Sequence, residues 1–422
     1  MPDQPLPASL PAVPGGAESR RLQRTHIRGR TGVSVREADR RLGLNGGGRG
    51  LLDTTHFDTV RFPPPAWAAD AMWAAMADGE NAYTPYRGDP AVLAQLAGTV
   101  GAFLGAQLTT DNLALTPGTQ AGLFTVMSAL VDDGDLVLLA DPDYLFIERM
   151  LAFLGARVER IGVRFDDGPP SLDLDAIEAL LPQRPKLLVF SHPHNPSGAV
   201  YAPGVIDRLA RLAVRGGFRV LADELYSRLV YEGPPFRHLL AAPGMADRCV
   251  TLVGPSKTES LSGCRIGVVV GPADVMAAVE QVLAVTSLRA PAYAQQLLRR
   301  WLADDEEFVR QRIADLASLR ELTATRLREV PGLRLTVHRG TAYVFPDVSA
   351  LGATDLEVAA RLQDEAGVIV SPGYQFGPRG VGHFRACYAR DEAQWSAALD
   401  RIVASLTGIG RRADGHVPGR AG

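Results

Sequence analysis

The strongest constraint in this sequence is an alternation. Short apolar runs recur through its middle, at 113–115, 136–139, 187–190, 219–221, 250–253 and 266–270. Most are continuous rather than every-other-residue, which suits strands buried on both faces. Patterns of helical period separate several of them, at 121–131, 144–154, 174–181 and 205–215. Parallel neighbours need a crossover, usually helical, so the alternation predicts an α/β fold with a mostly parallel sheet flanked by helices. A long amphipathic helix is expected at 273–284, and more helix from 291 to about 330. Beyond it, strand-like runs at 333–337, 342–345, 368–370 and 383–388 mix with helical segments and predict a smaller α+β domain.

At 422 residues and 46% apolar content the chain can bury two cores. Residues 1–50 form an arm: the first 16 are rich in Pro, Ala and Gly and are expected to be disordered, and 17–43 carry many arginines. A short helix and an arm lying on a partner suit that composition. We expect 51–80 to open the small domain, 81–290 to form the large domain, 291–410 to complete the small one, and 411–422 to be a flexible tail.

Other classes are excluded by composition. Net charge is −3 with no like-charge block in the body, which argues against nucleic acid as a partner. No uncharged apolar run reaches the roughly 18 residues of a membrane span. Prolines and Asp3 break the first residues, unlike a signal peptide. Cys249, Cys264 and Cys387 lack metal-ligand spacing and suit a reducing, cytoplasmic location. His192 and His194 lack a third ligand, so no metal is expected. No G-x-G-x-x-G follows an early strand, which removes a nicotinamide dehydrogenase.

The chemistry concentrates at one stretch, SKTESLSGCRIG, from Ser256 to Gly267. Of 44 basic side chains only Lys186 and Lys257 are lysines. Such a chain keeps a lysine where arginine cannot act, because a desolvated amine can lose its proton and form a Schiff base. Lys186 opens a strand in a polar setting; Lys257 follows one, with Arg265, suited to an anion, eight residues on.

Ligands of open α/β sheets bind beyond the strands' carboxyl ends. There the sequence places Gly118, Thr119 and Gln120 at a helix start suited to an anion. It also places Tyr144 in ADPDY, Asn195 in HNPSG, and Asp223 and Tyr226 in ADELY. Singly, each reads as a cap, a turn or core.

Together, NPSG, DELY and SKTESLSGCRIG resemble the fold-type I pyridoxal-phosphate enzymes, specifically the class I/II aminotransferases. The resemblance spans about 51–406. It implies pyridoxal 5′-phosphate as cofactor, and transfer of the amino group of an L-α-amino acid to a 2-oxo acid by a ping-pong route through an internal aldimine on Lys257. It implies that Asp223 pairs with the pyridine nitrogen, that Asn195 and Tyr226 hold the ring hydroxyl oxygen, and that Tyr144 stacks on the ring. Gly118, Thr119, Gln120, Ser256 and Arg265 would take the phosphate. Tyr83 would reach it from the neighbouring subunit of a homodimer, and Arg385 would take the substrate carboxylate.

One stretch departs from the family. The loop expected to close over the substrate reads LDTTHFDTVRFPPP and has no glycine. His56, Phe57 and Arg61 are expected to face the substrate, and the positive groups to favour a polar or acidic side chain; Asp58 would serve a cationic one. Arg87 and Arg289 are the next candidates. The loop keeps an alternative reaction open on the same scaffold: β- or γ-elimination, cyclisation, decarboxylation or oxidation of an amino acid.

Overall fold

The structure is a computed structural model, and describes residues 19–25, 50–57 and 61–415, with side chains to 409. Its centre is an eight-stranded sheet in the order β2-β9-β8-β7-β6-β3-β4-β5. The strands are β2 (Leu113–Thr116), β3 (Leu136–Asp141), β4 (Arg157–Arg164), β5 (Ser171–Leu172), β6 (Leu187–Ser191), β7 (Arg219–Asp223), β8 (Cys249–Val253) and β9 (Gly267–Val270). β4, β3, β6, β7 and β8 run parallel; β9 is antiparallel to both β2 and β8, and β5 to β4.

Side chains alternate across this sheet, as strand geometry requires. Leu188 and Phe190 join a cluster on one face with Leu96, Ile206 and Val220. Leu187 and Val189 join the other, with Val126, Met127 and Val250. Both faces are covered, so β2, β3, β6, β8 and β9 are buried throughout. β4 was not expected from sequence. It reads RVERIGVR, with an exposed Arg157 and charges between its apolar residues, because only the two-residue β5 lies outside it.

A third cluster holds Leu316, Val344, Val358, Val368, Phe384, Trp395 and Leu399 and makes a smaller unit. Here β10 (Tyr343–Val344), β13 (Phe384–Cys387) and β12 (Ser371–Pro372) form an antiparallel sheet. β1 (Leu52–Asp53) pairs in parallel with β11 (Val368–Ile369). Ala68 and 290–301, through Ala290, Ala294, Leu297, Leu298 and Trp301, pack instead with the large sheet.

Two expectations fail locally. At 333–337 only Arg334 is paired, bridging to Asp347. The helix expected from 291 breaks into Ala292–Gln295, a 3₁₀ turn and Glu306–Leu327. Leu302 takes a positive φ of 65° at the break. The Asp305 carboxylate there receives both ends of the Arg228 guanidinium, at 2.7 and 2.8 Å.

Near the N-terminus, Ser19 caps the short helix Arg20–Arg24, and Arg24 Nη1 lies 2.7 Å from Asp133 Oδ1. The rest of the arm lies outside the described residues.

Candidate active site

Strand ends β2, β3, β6, β7 and β8 bring their side chains to one cavity of about 460 Å³. Its lining includes Thr119, Gln120, Tyr144, Asn195, Asp223, Tyr226, Ser256, Lys257, Arg265 and Arg385, each singled out from sequence, together with His56.

At the end of β2, Gly118 takes φ 82° and opens the helix Thr119–Leu130. A Cβ there would sit 2.3 Å from Arg265 Nη2, so only glycine lets the guanidinium lie against this turn. Arg265 donates from Nη2 to Pro117 O (3.1 Å) and from Nη1 to Ser262 O (3.0 Å). A Cβ on Gly267 would meet Thr119 N at 2.7 Å, so β9 also abuts the helix start. Free N–H groups, the helix dipole and a guanidinium make this corner suited to an anion. Ser256 Oγ is buried beside it with no hydrogen-bond partner among the described residues.

At β7, Asp223 Oδ1 accepts from Leu225 N at 3.2 Å. Burial raises its carboxyl to about 6, opposed by that hydrogen bond and by the Lys257 charge. Tyr226 and Tyr343 share a hydroxyl–hydroxyl bond of 2.9 Å. Burial, then Tyr343, holds the Tyr226 phenol well above its ordinary range. Tyr144 donates to Gln120 Oε1 at 2.7 Å. Its phenol is likewise raised, by burial and then by the Asp223 charge.

The far wall comes from the small unit. Arg385 is 4% exposed. Nη1 donates to Asn195 Oδ1 and Nη2 to Thr55 O, both at 2.7 Å. The guanidinium lies over the Tyr343 ring at 4.2 Å and the Phe376 ring at 4.8 Å. Its Nε is buried with no hydrogen-bond partner among the described residues.

Gly118, Phe57, Arg61 and Tyr83 are not among the residues lining this cavity, although Gly118 lies beside it against Arg265. Phe57 is 3% exposed and packs edge-to-face on Phe62 at 5.7 Å, in the core of the small unit. Apolar bulk in a loop without glycine turns inward, which corrects the expectation that it faces a substrate. Arg61 points to Asp391 (3.6 Å) and lies over the Phe62 ring. Tyr83 is 85% exposed, with the Arg289 guanidinium 4.6 Å over its ring. Arg87 faces away, paired with Asp111 and Glu280. Asp58 lies outside the described residues. His194 is held by Ser197 Oγ and Pro142 O, both at 2.7 Å, and His192 Nε2 accepts from Tyr201 N.

Sequence reading missed residues that hold this site together. Asp143 receives Ser191 N and Ser191 Oγ at 2.9 and 2.7 Å, and Ser191 Oγ in turn accepts from Asn195 N. Burial pushes the Asp143 carboxyl to about 7. Arg390, 1% exposed, donates to the carbonyls of Ala389, Asp53 and His56. Asp53, Thr55 and Tyr343 line the cavity. These contacts bridge distant segments, and no local pattern marks them. A larger hollow of about 810 Å³ opens at the other end of the sheet, beside the Arg219–Asp274 pair, and contains none of the expected residues.

The sheet, the smaller unit and the lysine-bearing cleft between them define a fold-type I pyridoxal-phosphate enzyme. The chain matches the family "Aminotransferase class I and II" over residues 53–402 and belongs to it. It is 31% identical over 348 residues to the aspartate/prephenate aminotransferase of Thermus thermophilus, covering 82% of this chain and 88% of that protein. It is 31% identical over 340 residues to the arginine–pyruvate transaminase of Pseudomonas aeruginosa, covering 77% and 82%. A crystal structure of an aspartate aminotransferase from Rhodobacter sphaeroides superposes with a TM-score of 0.82 at 36% identity, covering 86% of this chain and 94% of that one. The protein is a pyridoxal-phosphate-dependent aminotransferase, moving an amino group between an amino acid and a 2-oxo acid. Among the described residues no helix is long and apolar enough to cross a membrane.

Proposed function

We propose that this cavity binds pyridoxal 5′-phosphate and transaminates an L-α-amino acid, with each side chain in the role its position supports. When bound, the cofactor supplies an aldehyde carbon for the amino group and a ring that withdraws electrons. The observation that carries the reading is convergence. Lys257, Asp223 and the Ser256–Arg265 corner reach one cavity from separate strand ends, and the buried Ser256 Oγ lacks a partner that a phosphate oxygen would provide.

Asp223 sits where burial disfavours its charge, so a cationic pyridine nitrogen compensates it. Lys257 Nζ binds the cofactor and, once released, moves the proton at the substrate Cα. Thr119, Ser256, Arg265 and the N–H groups of Thr119 and Gln120, at the helix start that Gly118 opens, hold the phosphate. Tyr144 covers the ring face, and Asn195 and Tyr226 hold the ring hydroxyl oxygen. Arg385 turns its fork to the substrate carboxylate, a geometry guanidinium meets bidentately. Tyr83 serves the partner's site in a homodimer. Its exposure, with Trp73 at 78% and Val285 at 82%, supports a covered face. The large unit binds the cofactor, the small unit closes the substrate side, and the enzyme works in the cytoplasm.

The test is the absorbance of the purified protein. Amino acids should bleach the imine band, and 2-oxo acids should restore it. Bleaching that no 2-oxo acid reverses, with ammonia released, would replace transamination by elimination or oxidation. Relatives at equal identity are named for acidic and for basic amino acids, so likeness leaves the substrate side chain open.

A further inference from the structure

We infer that Tyr343 is a positioning residue for the transamination: its hydroxyl donates to the Tyr226 oxygen and so aims the Tyr226 proton at the ring hydroxyl oxygen of the cofactor. The inference rests on the roles proposed above for Asn195 and Tyr226, and adds the residue that sets the direction of donation.

Tyr343 opens β10, is 5% exposed and lines the cavity. Its hydroxyl lies 2.9 Å from that of Tyr226, with the two rings edge-to-face at 5.8 Å. By distance alone either phenol could give the proton. A phenol has only one hydrogen to donate. Tyr226, committed to the ring oxygen, has no second hydrogen, so its oxygen accepts and Tyr343 is the donor. Asn195 is oriented from the same side. Arg385 Nη1 donates to Asn195 Oδ1 at 2.7 Å. A guanidinium has no acceptor, so this contact fixes the amide with its nitrogen, a donor, at the other end. Arg385 and Tyr343 are neighbours: β10 pairs with β13, and the Arg385 guanidinium lies 4.2 Å over the Tyr343 ring. One patch of the small unit thus orients both donors assigned to the ring oxygen.

Tyr343 is itself held in place. Thr341, at φ 63°, turns the chain into β10, and its carbonyl accepts from the Tyr231 and Tyr388 hydroxyls at 2.9 and 3.0 Å. Thr341 N donates at 3.0 Å to the carbonyl of Leu229, in the turn that follows Tyr226. A hydroxyl that accepts a hydrogen bond donates its own more strongly. Donors on the ring oxygen draw its charge toward themselves, so a proton on the bound Lys257 nitrogen beside it is held less tightly. Removing the Tyr343 hydroxyl weakens the Tyr226 contact, and that proton is then held to higher pH. The titratable and charged neighbours of Tyr226 are Tyr343, Arg385 and Cys387. Lys257, Asp223, Arg265, Tyr144, Asp53 and His56 share the cavity. None of these is altered when a phenol becomes a phenyl, so the difference between proteins reads the hydroxyl.

The experiment is a pH titration of the imine-band absorbance of purified holoenzymes, with steady-state kinetics beside it. Tyr343→Phe keeps the ring beneath Arg385 and removes only the hydroxyl. Its band midpoint should rise by about half a pH unit or more, and kcat should fall by about threefold or more, with KM changed by less than about twofold. Tyr343→Leu removes the ring as well and should also raise KM, by about fivefold. Tyr226→Phe should raise the midpoint at least as far as Tyr343→Phe. The double variant should go no further than Tyr226→Phe alone, because Tyr343 acts through Tyr226. A midpoint that Tyr343→Phe leaves unmoved, or shifts that add in the double variant, overturns the inference and leaves the aminotransferase reading standing. A wild type with no imine band overturns both. Should Tyr343→Phe not fold by circular dichroism, Tyr226→Phe decides: an unmoved midpoint there removes the contact through which Tyr343 acts.

Discussion

The two walls of the cavity are built differently. The sheet wall is made by strand ends: Asp223 closes β7, Asn195, Ser256 and Lys257 follow β6 and β8 within a few residues, and the ladder fixes where the strands end. The loop wall is made by Asp53–His56 and held by two arginines through carbonyl oxygens. Position on the first wall is a property of the sheet. On the second it depends on single side chains arriving from far along the chain. The sheet wall should therefore set whether chemistry occurs, and the loop wall which molecule undergoes it.

Lys257→Ala should give the largest loss, abolishing turnover with secondary structure unchanged by circular dichroism. A mutant that retains the imine band would move the Schiff base off Lys257. Asp223→Ala follows. A neutral hydrogen bond is worth roughly 1 kcal/mol, but loss of the ring's counter-charge should cost several factors of ten, each about 1.4 kcal/mol. A fall in kcat below about tenfold would break the contrast between the walls.

The loop wall should respond in KM. Arg385→Lys keeps charge but not the fork, and should raise KM for the best amino acid by about ten- to a hundredfold. Arg390→Gln should raise KM by less, blur discrimination among amino acids, and leave cofactor retention on gel filtration at the wild-type level. If retention falls in step with KM, the two walls are one structure and the comparison collapses.

Asp143 should have the smallest effect on turnover and a distinct signature in stability. Its folded carboxyl is raised from 3.8 to about 7, so the native state holds the proton more tightly than the unfolded chain. That stabilisation is complete below about pH 4 and lost as pH rises through about 7. Asparagine does not titrate. Wild type should lead Asp143→Asn most at low pH, and the gap should narrow by at most about 4 kcal/mol by pH 8. Urea midpoints of both proteins at pH 5.5 and 8 measure this; a gap independent of pH would remove the proton from Asp143.

The same difference decides what could be read from sequence. The central strands were legible because each is a continuous apolar run, and their terminal residues follow at fixed spacing. β4 was not, since its residues alternate with arginines near the sheet edge. Phe57 and Arg61 were misplaced because loop residues carry no period to tell inside from outside. Phe57 is buried on Phe62, and Arg61 faces Asp391. Arg390 is one arginine among many in the sequence, and only the fold shows it buried against the Asp53 and His56 carbonyls.

The β1–β11 pairing has a consequence for biosynthesis. Thr54 donates to the Ile369 carbonyl from both N and Oγ1, at 2.9 and 2.6 Å, across 315 residues of chain. Its own carbonyl accepts from Cys387 N. At roughly 5–20 residues per second a ribosome needs about 15–60 s to make the intervening stretch. Throughout that interval β1 lacks its strand partner β11, while the sheet strands between 113 and 270 can already assemble. The large unit can thus be in place before the substrate wall exists, and a nascent chain halted before residue 368 would present a nearly complete cofactor cradle open on one side.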